Sequence, residues 1–224
     1  MRVMTTRTTD THLRPVAGLP ARLALWAVAL GAWSLLAAAG ALAGLDQSVW
    51  RWATAHRTAG LDVLLRAVTF FGSSVVTAAA LPALAWRTWR RDGRGMALAW
   101  LAVFSAGLAV QIVLRFAVGQ WRPDAGALPA TMSLLARFQL AGFPSGHAYR
   151  SAFLFGWLAT TLRSAAARGA CVALIVVVGL TRVYLQRHWL SDVAGSWLLA
   201  LAVFAAWRAW GPRLAQRLEA ALRR

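Results

Sequence analysis

Between Leu23 and Gly44 the chain carries no charged side chain. A helix needs about 20 apolar residues to cross bilayer hydrocarbon, so this run is long enough to span. Five further apolar runs follow, at about 61–86, 95–117, 147–163, 169–186 and 189–208. Lipid offers no partner to a backbone N–H or C=O, so runs of this length specify helices. The expected fold is all-α: a polytopic membrane protein with six transmembrane helices. Composition agrees, with 59% hydrophobic and only 14% charged residues, against about 25% charged in a soluble domain. A cleaved leader competes for the first run, because Ala41-Leu42-Ala43 resembles a cleavage site. The run is longer than the roughly 7–15 apolar residues of a leader, which favours a retained helix.

All 24 basic residues are arginine, and the net charge is +17. A charge of that size can serve nucleic-acid binding. Here the arginines fall in short segments between apolar runs and no nucleic-acid motif is visible, so no nucleic-acid partner is expected. Arg2, Arg7, Arg14, Arg22, the Arg87–Arg94 cluster, Arg163, Arg168 and five C-terminal arginines from Arg208 to Arg224 lie on one side of such a topology. The positive-inside rule makes that side cytoplasmic, with both termini there. The chain divides into a polar cytoplasmic tail at 1–22, a six-helix membrane domain at 23–210 and a basic cytoplasmic tail at 211–224. Residues 45–60, with Trp50 and Trp52 beside charge, suit an interfacial segment. Leu128 to Leu140 is expected to form a short helix on the membrane. Cys171 is the single cysteine, which excludes an internal disulfide or a cysteine metal cluster. No feature fixes an oligomeric state.

Arg115, Arg150, Arg182 and Asp192 sit at span ends, and Arg66 near another. The chain reverses at each crossing, yet all five fall at the outer face. Snorkelling to the headgroups explains any one of them. Their convergence favours a site, because ionisable groups within spans are costly and mark function.

Three short segments border that level. The first runs from Arg115 to Arg122-Pro123. Its arginines are two helical turns apart and can share a face, and guanidinium forks match phosphate oxygens in pairs. A basic helix end is the plainer alternative. The second is Gly142-Phe-Pro-Ser145-Gly146-His147, opening the fourth run. Serine is a good N-cap and the free N–H groups of a helix start attract anions. Gly146 lets the backbone approach a ligand, and His147 would stand beside a bound anion as a proton donor. A simple turn is the rival here. The third is Thr181-Arg182 followed by His188 and Asp192. Four residues apart at a helix start, these two lie on one side. A carboxylate holding one imidazole nitrogen protonated leaves the other free as a nucleophile or base. A structural His-Asp hydrogen bond is the alternative. Together the segments make a phosphoryl-transfer site without metal. With only seven acidic residues in the chain, a two-metal carboxylate cage is not expected, nor any other cofactor.

These segments resemble the three-part signature of the type-2 phosphatidic acid phosphatase superfamily, the lipid phosphate phosphatases, in its bacterial membrane branch. That signature places lysine seven residues before Arg-Pro, then Pro-Ser-Gly-His, then Ser-Arg with histidine six residues after the arginine and aspartate four beyond. Order and spacing match here; Arg115 stands for the lysine and Thr181 for the serine. The resemblance implies a six-helix membrane fold and a phosphohistidine intermediate. It implies that His188 attacks phosphorus, Asp192 orients it and His147 protonates the leaving oxygen. Arg115, Arg122, Ser145, Gly146 and Arg182 would hold the phosphate.

The expected function is a metal-independent phosphatase acting on a membrane-anchored lipid phosphate or pyrophosphate at the outer face. Undecaprenyl pyrophosphate (in a bacterium), phosphatidic acid and phosphatidylglycerol phosphate are candidates. The expected location is the cell membrane, the inner one in a Gram-negative cell. A lipid-linked phosphotransferase with the same histidine chemistry is the alternative. A non-enzymatic anion- or lipid-binding protein leaves the spacing of His188 and Asp192 unexplained. Arg66, Arg137 and Arg150 lie near the site without an assigned role.

Overall fold

The computed structural model describes residues 19–126 and 131–224. Nearly all of the expected tail at 1–22, and residues 128–130 of the expected 128–140 helix, lie outside the described residues. The order is α1 (Leu19–Ala38), α2 (Ala43–Ala55), α3 (Ala59–Thr69), a 3-10 turn (Phe70–Gly72), α4 (Ser74–Asp92), α5 (Arg94–Val118), α6 (Leu134–Leu140), α7 (Gly146–Thr161), α8 (Ala165–Tyr184) and α9 (Leu190–Ala221). Among the described residues there is no strand, only one isolated antiparallel bridge between Trp121 and Ala141.

Among the described residues, five segments are long and apolar enough to cross a membrane: 21–38, 59–92, 94–118, 165–184 and 190–221. The remaining expected span is α7, whose 16 residues reach about 24 Å. Many apolar side chains on α1, α4, α5 and α8 face outward, such as Leu25, Leu35, Val75, Val113 and Val172. That is the surface a lipid solvent requires and a water-facing helix avoids.

α5 lies along α9, α1 packs on α9 as well, and α7 is held by α8 and α9. Lipid tails are as apolar as leucine, so helices associate in a bilayer through close packing rather than water exclusion. The packing is aromatic. Trp100 and Phe104 of α5 meet Tyr149, Phe153 and Trp157 of α7, with Leu199 and Val203 of α9.

Two differences from the sequence reading matter for the site. The second apolar run is not one helix: it breaks at Gly72-Ser73. Ser73 caps α4 by accepting the Val76 N–H at 3.2 Å. Gly72 lies against α7, where a Cβ would come within 2.8 Å of the His147 carbonyl oxygen. Its own carbonyl accepts a hydrogen bond from Arg150 Nε at 3.1 Å. The last helix does not stop near 208 but continues through Pro212 to Ala221. Glu219 on this extension accepts the Gly95 N–H at 2.8 Å, capping the start of α5 from a distant part of the chain.

Candidate active site

The three segments meet at one end of the bundle. A short non-helical crossing brings the first two together. The Arg122 N–H donates to the Leu140 carbonyl at 3.0 Å and the Gly142 N–H to the Gln120 carbonyl at 2.7 Å. The second and third join where the Ser145 N–H donates to the Asp192 carbonyl at 3.1 Å. Ser196 Oγ bridges the same two segments, lying 2.9 Å from the Ser145 carbonyl oxygen and 2.8 Å from that of Asp192.

His188 and Asp192 form the buried centre. His188 Nδ1 is 3.1 Å from Asp192 Oδ2, with the side chains 2% and 0% exposed. Their meeting does not come from helical spacing, because α9 begins only at Leu190. His188 precedes the helix, and Asp192, in its first turn, reaches back to accept the Trp189 N–H at 3.0 Å. One carboxylate thus caps the helix and faces the imidazole. Trp189 is tied to the first segment, its indole donating to the Trp121 carbonyl at 2.7 Å. Gly142 leaves room for Asp192, since a Cβ there would stand 2.6 Å from Oδ2.

Burial, with the guanidinium charges of Arg122, Arg182 and Arg115 around it, holds His188 well below the usual imidazole range. Both effects favour the neutral ring over the imidazolium. Burial also lowers Arg122 from its ordinary value.

The arginines are anchored by backbone carbonyls and a threonine hydroxyl. Arg115 donates to the Pro144 carbonyl at 3.0 Å and the Phe138 carbonyl at 3.2 Å, with its guanidinium 4.7 Å from the Phe138 ring centre. Arg182 reaches Thr69 Oγ1 at 3.3 Å, and Arg122 Nε lies 3.4 Å from the Ala141 carbonyl oxygen. Arg115 Nε, Arg182 Nε, Ser145 Oγ and Asp192 Oδ1 are four of the eight buried side-chain atoms without a partner among the described residues. Such orphans are rare and call for a functional explanation. Ser145 is the N-cap residue of α7, yet its side chain makes no capping bond, so its hydroxyl is not consumed by the helix. Gly146 begins α7, where a Cβ would sit 2.9 Å from Arg150 Nη1. His147 follows, half-buried, with Arg150 Nη2 3.5 Å from its Nδ1.

Arg150 thus joins the Gly72 carbonyl to His147. Arg66 is exposed and 3.5 Å from Asp62, and Arg137 is exposed on α6. Neither is bound to the three segments.

Sequence reasoning missed Gln111 and Asp46. Gln111, buried one turn before Arg115, donates to the Pro144 carbonyl at 3.2 Å. A lone amide inside an apolar span was its signal. Asp46 is buried and accepts from the Ser191 N–H at 2.9 Å and from Ser191 Oγ. Its signal was rarity, as one of seven acidic residues in the chain.

The PAP2 superfamily profile matches residues 95–215, so the chain belongs to the PAP2 superfamily. Two solved structures share its fold. One is a transmembrane PAP2-type phosphatidylglycerolphosphate phosphatase from Bacillus subtilis, with a TM-score of 0.68 and 23% identity, covering 83% of this chain and 96% of that one. The other is LpxE from Aquifex aeolicus, with a TM-score of 0.54 and 20% identity, covering 72% of this chain and 94% of that one. No curated protein matches the chain significantly.

Proposed function

We propose that this protein is a membrane phosphatase that removes phosphate from a lipid phosphate or pyrophosphate through a phosphohistidine intermediate. The observation that carries the reading is the buried His188–Asp192 pair beside three unpaired polar groups, Arg115 Nε, Arg182 Nε and Ser145 Oγ. A phosphate supplies acceptors in the number and charge those groups lack.

With Asp192 ionised, His188 carries its proton on Nδ1 and presents the Nε2 lone pair. Nε2 attacks phosphorus as the bond from phosphorus to the leaving oxygen breaks, and His147 delivers a proton to that oxygen. Water then attacks the phosphohistidine, giving its proton to His147, and phosphate leaves with His188 neutral again. Arg115, Arg122, Arg182, Ser145 Oγ and the N–H groups opening α7 hold the three equatorial oxygens, whose charge is highest in the transition state. All of these steps use side chains and water.

In the same reading α7 is the sixth span, 23–210 is the membrane unit and both termini face the cytoplasm. The site then opens to the exterior or periplasm at headgroup level, where a lipid anchors its phosphate. Phosphatidylglycerol phosphate, phosphatidic acid and undecaprenyl pyrophosphate are the substrates to try.

The test is phosphate release from these three lipids by purified protein in detergent, with a chelator present. Release from at least one, with free phosphate equal to lipid product, is expected. No release from any of them contradicts a phosphatase, and lipid product without free phosphate assigns the phosphoryl group to another acceptor.

A further inference from the structure

The helix carrying Asp192 is capped from within only at the Trp189 N–H, which Asp192 itself accepts. Trp189, at its N-cap, makes no capping bond with its side chain, although the first four N–H groups of a helix have no partner within it. The missing acceptor comes from a different helix. Asp46 of α2, only 3% exposed, accepts the Ser191 N–H through Oδ1 at 2.9 Å. Its Oδ2 accepts the Ser191 hydroxyl at 2.6 Å and lies 3.3 Å from Gln120 Nε2. Gln120 in turn donates to Ser191 Oγ at 3.0 Å, and its carbonyl accepts the Gly142 N–H at 2.7 Å. Gln120 lies two residues before Arg122, Gly142 opens the Ser145 segment, and Ser191 precedes Asp192. The carboxylate therefore ends a network that touches all three segments.

We propose that Asp46 is a positioning residue for the reaction, capping α9 from α2 and fixing the Arg122 segment against it. This rests on the reading of the site given above. A negative charge at a helix start is favourable in itself, but an exposed cap would serve that purpose. A buried carboxylate with both oxygens engaged holds one geometry, and the geometry it holds is that of His188, Asp192 and Arg122 relative to one another. The turn after α2 braces the same loop from its other end. The Tyr184 hydroxyl donates to the His56 carbonyl and accepts the Thr58 N–H, both at 3.0 Å.

The test compares wild type, Asp46→Ala and Asp46→Asn by steady-state phosphate release, thermal unfolding and amide hydrogen exchange. A displacement of reacting groups by about 1 Å costs on the order of 100-fold. Asp46→Ala is expected to lower kcat about 10–100-fold with KM within about threefold, and to speed exchange at 120–122 and 188–193 while the rest of the bundle stays protected. Asp46→Asn keeps an acceptor for the Ser191 N–H and is expected to restore both readouts. Wild-type kcat in Asp46→Ala, or a loss matched by lost protection throughout the bundle, overturns the proposal. If Asp46→Ala does not fold, Ser191→Ala is read instead: it removes the hydroxyl links alone, and a wild-type kcat with unchanged exchange at 120–122 overturns the proposal. If wild type releases no phosphate, the phosphatase reading falls and the exchange measurement decides alone. Faster local exchange repaired by Asp46→Asn upholds the positioning role, and unchanged exchange overturns it.

Discussion

At the scale of single residues, the two histidines differ in what surrounds them. His188 is buried against a carboxylate, whereas His147 is half-buried beside Arg150. In the proposed mechanism His188 is the nucleophile and His147 the general acid, so His188→Ala is expected to have no turnover. Loss of a general acid is slower damage, and His147→Ala is expected to retain activity reduced about 10²–10⁴-fold. Phosphate release under substrate saturation checks both. The pH profile follows from the sign of the His188 shift. Its folded value lies below the usual imidazole range, so the neutral, nucleophilic form persists as pH falls through about 6.5. The acid limb belonging to His188 should lie below about 6.5 in substrates whose own phosphate groups ionise differently. A substrate-independent limb at or above that value would place the imidazole in an ordinary environment. These candidates stood out in the sequence because ionisable side chains are costly at the ends of spans. Asp46 did not, because its role depends on α2 folding back against Ser191, a pairing 145 residues apart.

Elements show a different balance. The apolar runs were legible because lipid leaves a spanning backbone little choice but helix. The break at Gly72-Ser73 was not, although Gly-Ser-Ser is itself a helix-stop and N-cap signal. Averaging hydropathy over the run hides it, and its purpose emerges only when α7 is in place to take the Gly72 carbonyl through Arg150. α9 begins at Leu190, one residue after the expected 189, and His188 lies outside it, which changes why His188 meets Asp192. The pair depends on a cap, so it is sensitive to whatever packs on that cap. Gly142→Ala would drive a methyl to within 2.6 Å of Asp192 Oδ2. The variant is expected to insert and fold with at least tenfold lower kcat, on the reasoning that applies to any misplaced reacting group. Wild-type turnover in Gly142→Ala would show that Asp192 tolerates displacement.

The whole molecule is a bundle whose aromatic core, from Trp100 to Trp157, lies along α5, α7 and α9, with the chemistry gathered at one end. In the topology proposed from the positive-inside rule, that end faces outward. In a Cys171→Ser background, a cysteine at exposed Arg137 should react with an impermeant reagent added outside cells, and one at exposed Arg90 only after lysis. Labelling of both from the same side would contradict the proposed topology. The proposed orientation rests on arginine placement alone, whereas the close fit of the three segments depends on backbone bonds such as Gly142 to Gln120 that no side-chain pattern announces.

The central claim is that His188 accepts the phosphoryl group. It is tested most directly by acid-free quenching of the purified protein during turnover of a lipid substrate labelled with radioactive phosphate, followed by mapping of the label. The expected result is an acid-labile, base-stable label on the peptide containing His188, absent from His188→Ala. Full turnover in His188→Ala, or label on a different residue, would contradict it.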